Sequence, residues 1–230
     1  MKASLGQRLA AEFLGTGFLV ATVIGSGIMG ERLAAGNAAI ALLANTIATG
    51  AALVALILAF GPISGAHFNP VVTLSDALEG GMRWKETPGY IAAQVLGAMG
   101  GAVVAHGMFA LPVVSLSQHA RSGAAQLFSE FVATFGLMCV IWGCSRRRPD
   151  AVAFAVGAYI TAAYWFTAST SFANPAVTIG RALSDTFAGI RPQDVPGFIV
   201  AQAGGGFAAT LLFRWFRTES QPVARQTETN

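Results

Sequence analysis

The sequence predicts an all-α membrane protein with six transmembrane helices and two re-entrant half-helices, arranged as an inverted 3+3 repeat. Three observations predict it. The 230-residue chain is 54% hydrophobic and only 11% charged, against about one quarter charged in a soluble domain. Its apolar residues fall in long runs, and lipid admits helices because it cannot satisfy open backbone groups. Two Asn-Pro stretches also recur, Ser64–Leu74 and Ser171–Ile179. Each opens an apolar segment too short to cross a bilayer.

A span takes about 20 apolar residues. Six are expected, at about Leu9 to Met29, Ala38 to Phe60, Pro88 to Leu111, Leu127 to Cys144, Ala151 to Ala168 and Gly197 to Phe213. The first follows Lys2 and Arg8 but is long for a signal peptide and lacks a small-residue cleavage site, so it reads as a span. Asparagine caps helix N-termini well, and proline fits the first turn. Asn69-Pro70 and Asn174-Pro175 therefore start short helices, Pro70 to Leu78 and Pro175 to Leu183, after the second and fifth spans. Both short helices run into a Ser-Asp pair, Ser75-Asp76 and Ser184-Asp185.

The chain repeats internally. Glu12-Phe13-Leu14-Gly15-Thr16 matches Glu130-Phe131-Val132-Ala133-Thr134, 118 residues on. Asn69-Pro70 matches Asn174-Pro175 at 105, and the stretch Pro88–Gln94 matches Pro196–Gln202 at 108. One channel domain thus fills residues 1–230, with repeat 1 at about 8–111, repeat 2 at about 126–217 and a polar, disordered tail at 218–230. Three spans per half force the second half to be inverted.

Loop charge sets the orientation. With both termini in the cytoplasm, Lys2, Arg8, Arg83, Lys85, Arg146, Arg147, Arg148, Arg214, Arg217 and Arg225 face inward. Arg32, Arg121, Arg181 and Arg191 face outward, so the inner side carries ten basic residues against four. The Arg146–Arg148 run is a stop signal, not a nucleic-acid site.

Inverted repeats place their site at broken helices near the midplane. Two half-helices meeting there head to head each bring about +0.5 of an elementary charge. Asn69 and Asn174 would cap their helices through the side-chain oxygen and leave the NH₂ as a donor. A passing hydroxylic oxygen accepts from both, which interrupts a proton wire. The expected function is a passive pore for small neutral solutes. The alternative is an ion-coupled secondary transporter, for which only Glu12 and Glu130 lie deep enough to couple. No nucleophile–base pair, phosphate loop or metal-ligand spacing is present, so no enzyme, cofactor, metal or nucleic-acid partner is expected. Cys139 and Cys144 read as packing residues.

On these motifs, from Ser64 to Val71 and from Asn174 to Ala176 with Glu12 and Glu130, the chain resembles the major intrinsic proteins, the aquaporin and aquaglyceroporin family. The likeness covers about residues 8–217. The usual triplet is Asn-Pro-Ala, and here the first copy ends in Val71. The resemblance implies one pore per protomer and a homotetramer in the cell's inner (plasma) membrane.

It also implies a second constriction, outward of the asparagines. Spacing carries its four positions to Thr49, Ala162, Ser171 and Val177. The family usually has arginine at the last of these, and valine offers neither charge nor donors. A wide, arginine-free filter is expected, passing water, glycerol- or urea-like molecules and neutral metalloids such as arsenite. The pattern is similar to bacterial aquaglyceroporins of the AqpS type, linked to arsenic resistance.

Ionisable groups inside spans need a stated role. Glu12 and Glu130 are expected to accept from backbone N–H groups of the re-entrant loops, with Pro70 and Pro175 fixing the helix starts. His67 either lines the inner vestibule, where it responds to pH, or packs the loop. Arg181, one turn past Val177, is expected to face lipid headgroups. Gln94 and Gln202 are expected to hold helices together. Tyr164-Trp165-Phe166 suits an interfacial belt or packing around the second half-helix.

Overall fold

A computed structural model describes residues 3–218. The expected tail beyond Thr218, with Lys2 and Arg225, lies outside the described residues. All regular structure there is helical. It comprises α1 (Leu5–Leu33), α2 (Ala38–Ser64), α3 (Pro70–Leu78), α4 (Thr87–Met108), α5 (Ala124–Ser145), α6 (Val152–Phe166), α7 (Pro175–Ala182) and α8 (Val195–Thr218). Short 3₁₀ turns precede α4, α6 and α8.

Five helices are long and apolar enough to cross a membrane: α1, α2, α4, α5 and α8. The remaining expected span, α6, has 15 residues, roughly 22 Å at the helical rise. The 3₁₀ turn Pro149–Ala151 lengthens it at one end, and the second Asn-Pro loop continues from the other.

Helix ends follow local chemistry. Helix α1 starts four residues earlier than its apolar run because Ser4 and Gln7 form a reciprocal capping box. Asn37 caps α2 by accepting from Ala39 N and Ile40 N. That helix runs through Pro62 to a left-handed Gly65, whose φ of 91° suits glycine alone. The half-helices begin at Asn-Pro, with Asn69 Oδ1 accepting from Val71 N and Asn174 Oδ1 from Ala176 N and Val177 N.

Packing repeats with the sequence. α1 packs on α2 and α4, and their counterparts pair as α5 with α6 and α8. α2 with α6 and α4 with α7 join the halves. At the α1/α4 crossing, a Cβ on Gly97 would run into the Phe13 carbonyl. Its repeat mate Gly205 abuts the Phe131 carbonyl in the same way at the α5/α8 crossing. Glycine lets these backbones touch, as membrane helix pairs require. The outer surface exposes large apolar side chains, among them Ile47, Leu96, Val104, Phe128, Phe154 and Val200, as a lipid-facing wall does.

Candidate functional site

The two half-helices meet N-terminus to N-terminus. Asn69 Nδ2 donates to Ala173 O at 2.7 Å, and Asn174 Nδ2 donates to Phe68 O at 2.7 Å. Each amide thus ties its own helix start to the opposite loop and keeps its second N–H. Both asparagines are buried, at 3% and 6% exposure, and both line one cavity.

The loops before them take matching shapes. Gly65, Ala66 and Phe68 have positive φ in the first, Thr170, Ser171 and Ala173 in the second. These turns aim successive N–H groups at one point, as anion nests do. A carboxylate waits at each point. Glu12 accepts from His67 N at 3.0 Å and Phe68 N at 2.7 Å. Glu130 accepts from Phe172 N and Ala173 N, both at 2.9 Å. Gln94 Nε2 donates to Glu12 and Thr73, and Gln202 Nε2 to Glu130 and Thr178. Each glutamine therefore locks a helix carboxylate to a half-helix threonine. Ser64 Oγ adds a further bond to Glu12 at 2.6 Å.

The cavity has a volume of about 540 Å³. It runs between α1, α2, α5 and α6, from Pro149 and Asp150 at one end to Arg181 at the other, past both asparagines. Its walls are mainly aliphatic, with Leu19, Leu53, Val72, Leu137, Val156 and Ile160 among them. Thr49, Ser171 and Val177 all line it. His67 lines it as well, with Nδ1 3.1 Å from Thr73 Oγ1 and Nε2 3.8 Å from Asp76 Oδ2.

Ala162 does not line the cavity. It sits on the exposed face of α6, and Ile160 and Tyr164 present to the cavity instead. Two residues on a helix are about 200° of rotation, which is the opposite face. Tyr164 is buried, and its hydroxyl lies 3.2 Å from Thr49 Oγ1. A phenol thus stands in the gate region where alanine was expected. Trp165 and Phe166 point outward.

Arg181 also departs from expectation. It does not face headgroups: it is 2% exposed and lines the cavity. Its guanidinium lies 3.3 Å above the Phe172 ring, and Nε donates to Ala188 O. The filter lacks arginine only at position 177, because another reaches the cavity from one turn further on. Arg121 flanks the same ring from 5.0 Å and donates to Gly189 O and Ser169 O. Burial lowers its pKa to about 10, so it is charged at neutral pH.

The Ser-Asp pairs are not equivalent. Asp76 lies within α3, whereas Ser184 and Asp185 follow α7. Ser184 bonds the buried His106, and Asp185 accepts from Gln118 N. Glu79, at the end of α3, is bound by Arg146, Arg214 and Arg217 from α8 and the end of α5. Hydropathy carries no signal for that clasp. The matched threonines, by contrast, could have been found from the 105-residue offset. Among the described residues, no group of three His, Cys, Asp or Glu side chains is placed to hold a metal ion.

Opposed half-helices on one cavity, each with its preceding loop held by a buried helix carboxylate bonded to loop backbone, define a channel of the broken-helix kind. The chain belongs to the major intrinsic proteins: that family's model matches residues 1–150 and 147–230. It is 53% identical to Aquaglyceroporin AqpS of Rhizobium meliloti (strain 1021), over 97% of this chain and 95% of that protein. It is 37% identical to Aquaporin NIP1-4 of Oryza sativa subsp. japonica, over 90% of this chain and 77% of that one. The solved aquaglyceroporin of Plasmodium falciparum shares the fold, with a TM-score of 0.68 and 22% identity, over 94% of this chain and 97% of that one. The protein is accordingly a passive multi-pass membrane channel for water and small solutes, not an enzyme.

Proposed function

We propose that the chain conducts glycerol- and urea-like molecules and neutral metalloid hydroxides such as arsenite, besides water. The head-to-head pairing of Asn69 and Asn174 on one cavity carries this reading. Each amide retains one N–H, so two fixed donors face whatever oxygen passes. The opposite walls are aliphatic, with Val72, Val156 and Ile160, and suit the carbon side of a polyol. Val177, Ser171 and Thr49 are the filter positions in this reading. Valine at 177 leaves room where the family usually places a guanidinium. Arsenite enters as a neutral, hydroxyl-bearing mimic of a polyol. A likeness to a protein named an aquaglyceroporin supports this reading.

In the same reading Glu12, Glu130, Pro70 and Pro175 hold the loops, and His67 lines one mouth. The channel is a homotetramer in the inner (plasma) membrane, with both termini in the cytoplasm. Stopped-flow uptake into proteoliposomes, across water, glycerol, urea and arsenite, tests the solute range. Uptake of each should run downhill and stop at equal concentrations. Uphill accumulation under a proton gradient would instead identify an ion-coupled transporter.

A further inference from the structure

Arg181 stands where the repeat would place an acid. The 105-residue offset that relates Asn69 to Asn174 relates Asp76 to Arg181, and both line the cavity. The α3 end of the pore therefore carries a carboxyl and the α7 end a guanidinium. Helical side chains tilt toward their own helix N-terminus, over the preceding turn. Arg181 follows that rule. Its guanidinium lies over the ring of Phe172, a residue ahead of Asn174.

Two polar atoms here have no partner. Arg181 Nη1 is buried without a hydrogen bond, and so is Ser171 Oγ. Both residues line the same cavity. Buried polar atoms are normally satisfied, and each exception calls for an explanation. A solute oxygen accepting from Arg181 and bonding Ser171 supplies one.

We propose that Arg181 sets charge selectivity at the α7 end of the pore and, with Ser171, forms an oxygen-binding subsite for permeating neutral solutes. The proposal rests on the channel reading and goes beyond it. The guanidinium that family members carry directly after the second Asn-Pro-Ala stands here one helical turn further along the same half-helix. A fixed cation there repels protons and metal cations. It also orients the hydroxyls of a polyol, whose oxygens accept from it.

The alternative is that Arg181 only clamps the loop through Ala188 O. Charge selectivity separates the two. The full-length channel is reconstituted in planar bilayers for Na⁺ and H⁺ current and in proteoliposomes for glycerol flux. The wild type should pass glycerol and carry no measurable cation current. Arg181→Met should lower glycerol flux by removing the donor of the subsite, while cation current rises by roughly tenfold or more, the scale on which a fixed charge in a low-dielectric cleft changes local ion concentration. Arg181→Lys changes the clamp but keeps the charge, and should stay cation-tight. Val177→Glu leaves Arg181 and its bond to Ala188 in place while offsetting its charge from one turn away. It should leak like the Met variant, and it decides the matter if that variant does not fold. The inference is overturned if the Met and Glu variants stay tight, or if the Lys variant leaks as much as the Met variant. A wild type that passes no neutral solute would instead sink the channel reading and leave the charge comparison meaningful on its own.

Discussion

Replacing Glu130 with glutamine tests what a carboxylate does inside this membrane fold. Glu130 is fully buried and accepts from Phe172 N, Ala173 N and Gln202 Nε2 at 2.9, 2.9 and 2.6 Å. The amide keeps the shape and one acceptor oxygen, but its NH₂ faces a donor. One charge-assisted bond is lost, about 1.5–3 kcal/mol, and a buried N–H is left without an acceptor, about 1–3 kcal/mol more. The loop also holds Thr170, Ser171 and Ala173 at φ of 63°, 51° and 50°, a region costing non-glycine residues about 1–2 kcal/mol each. The carboxylate is what offsets that strain. A local loss of about 2.5–6 kcal/mol follows. In a chain of this size it lowers Tm by roughly 5–24 °C.

The assay is thermal unfolding of the purified channel in detergent, followed by tryptophan fluorescence, beside glycerol flux in proteoliposomes. Glu12→Gln should behave alike, because its loop has the same geometry. An unchanged Tm in both variants refutes the reasoning. An unchanged Tm joined to loss of proton-driven uptake would make these residues coupling groups.

Three further outcomes follow from the geometry. Val177→Arg puts a second guanidinium one turn from Arg181 in the cavity and should cut glycerol flux at least about tenfold, about 1.4 kcal/mol of added barrier; equal fluxes would remove position 177 from the gate. Gly97→Leu forces a side chain into the Phe13 carbonyl and should destabilise by about 1–3 kcal/mol, read as a lower Tm, whereas the same change at the open Gly107 should leave Tm nearly fixed. Burial, with Arg121 and Arg181 nearby, holds the His119 imidazole below its ordinary value. The unfolded chain then binds the proton more readily, so stability should fall as pH drops below about 6.5, and His119→Gln should flatten that slope in melts at pH 7.5 and 5.5; parallel slopes would clear His119.

The legible parts of this chain are those fixed by local chemistry. Asn-Pro sets a helix start by capping and ring geometry, and α3 spans Pro70–Leu78, the segment that apolar length and the motif pick out. Glu12 and Glu130 are conspicuous because charge inside an apolar run needs a partner, and the nearest unsatisfied donors belong to the loops. Ala162 was misplaced for a related reason. Counting back from Asn174 crosses an irregular stretch of left-handed residues after Phe166, so residue number no longer reports helix rotation. Arg181 is not legible from sequence because arginine's general preference for headgroups says nothing of a helix whose end is itself buried. Phe172 and the Ala188 carbonyl provide its pocket, and neither is visible as a motif.

The repeat also shows which positions fix the scaffold and which differ between the two mouths. At the 105-residue offset the asparagines, prolines and threonines are identical, and these cap helices or tie them to Gln94 and Gln202. Val72 and Val177 are identical too, and both line the cavity. The usual family arginine would break symmetry at 177. Here the charge asymmetry falls one turn further on, at Asp76 and Arg181. A backbone held by matching bonds at both ends keeps the pore straight through an inversion, so the bonded positions must match. Asp76 and Arg181 stand outside that matched set: Asp76 faces His67, and Arg181 bonds Ala188 O. An acid at one mouth and a guanidinium at the other therefore leave the matched bonds of the frame intact.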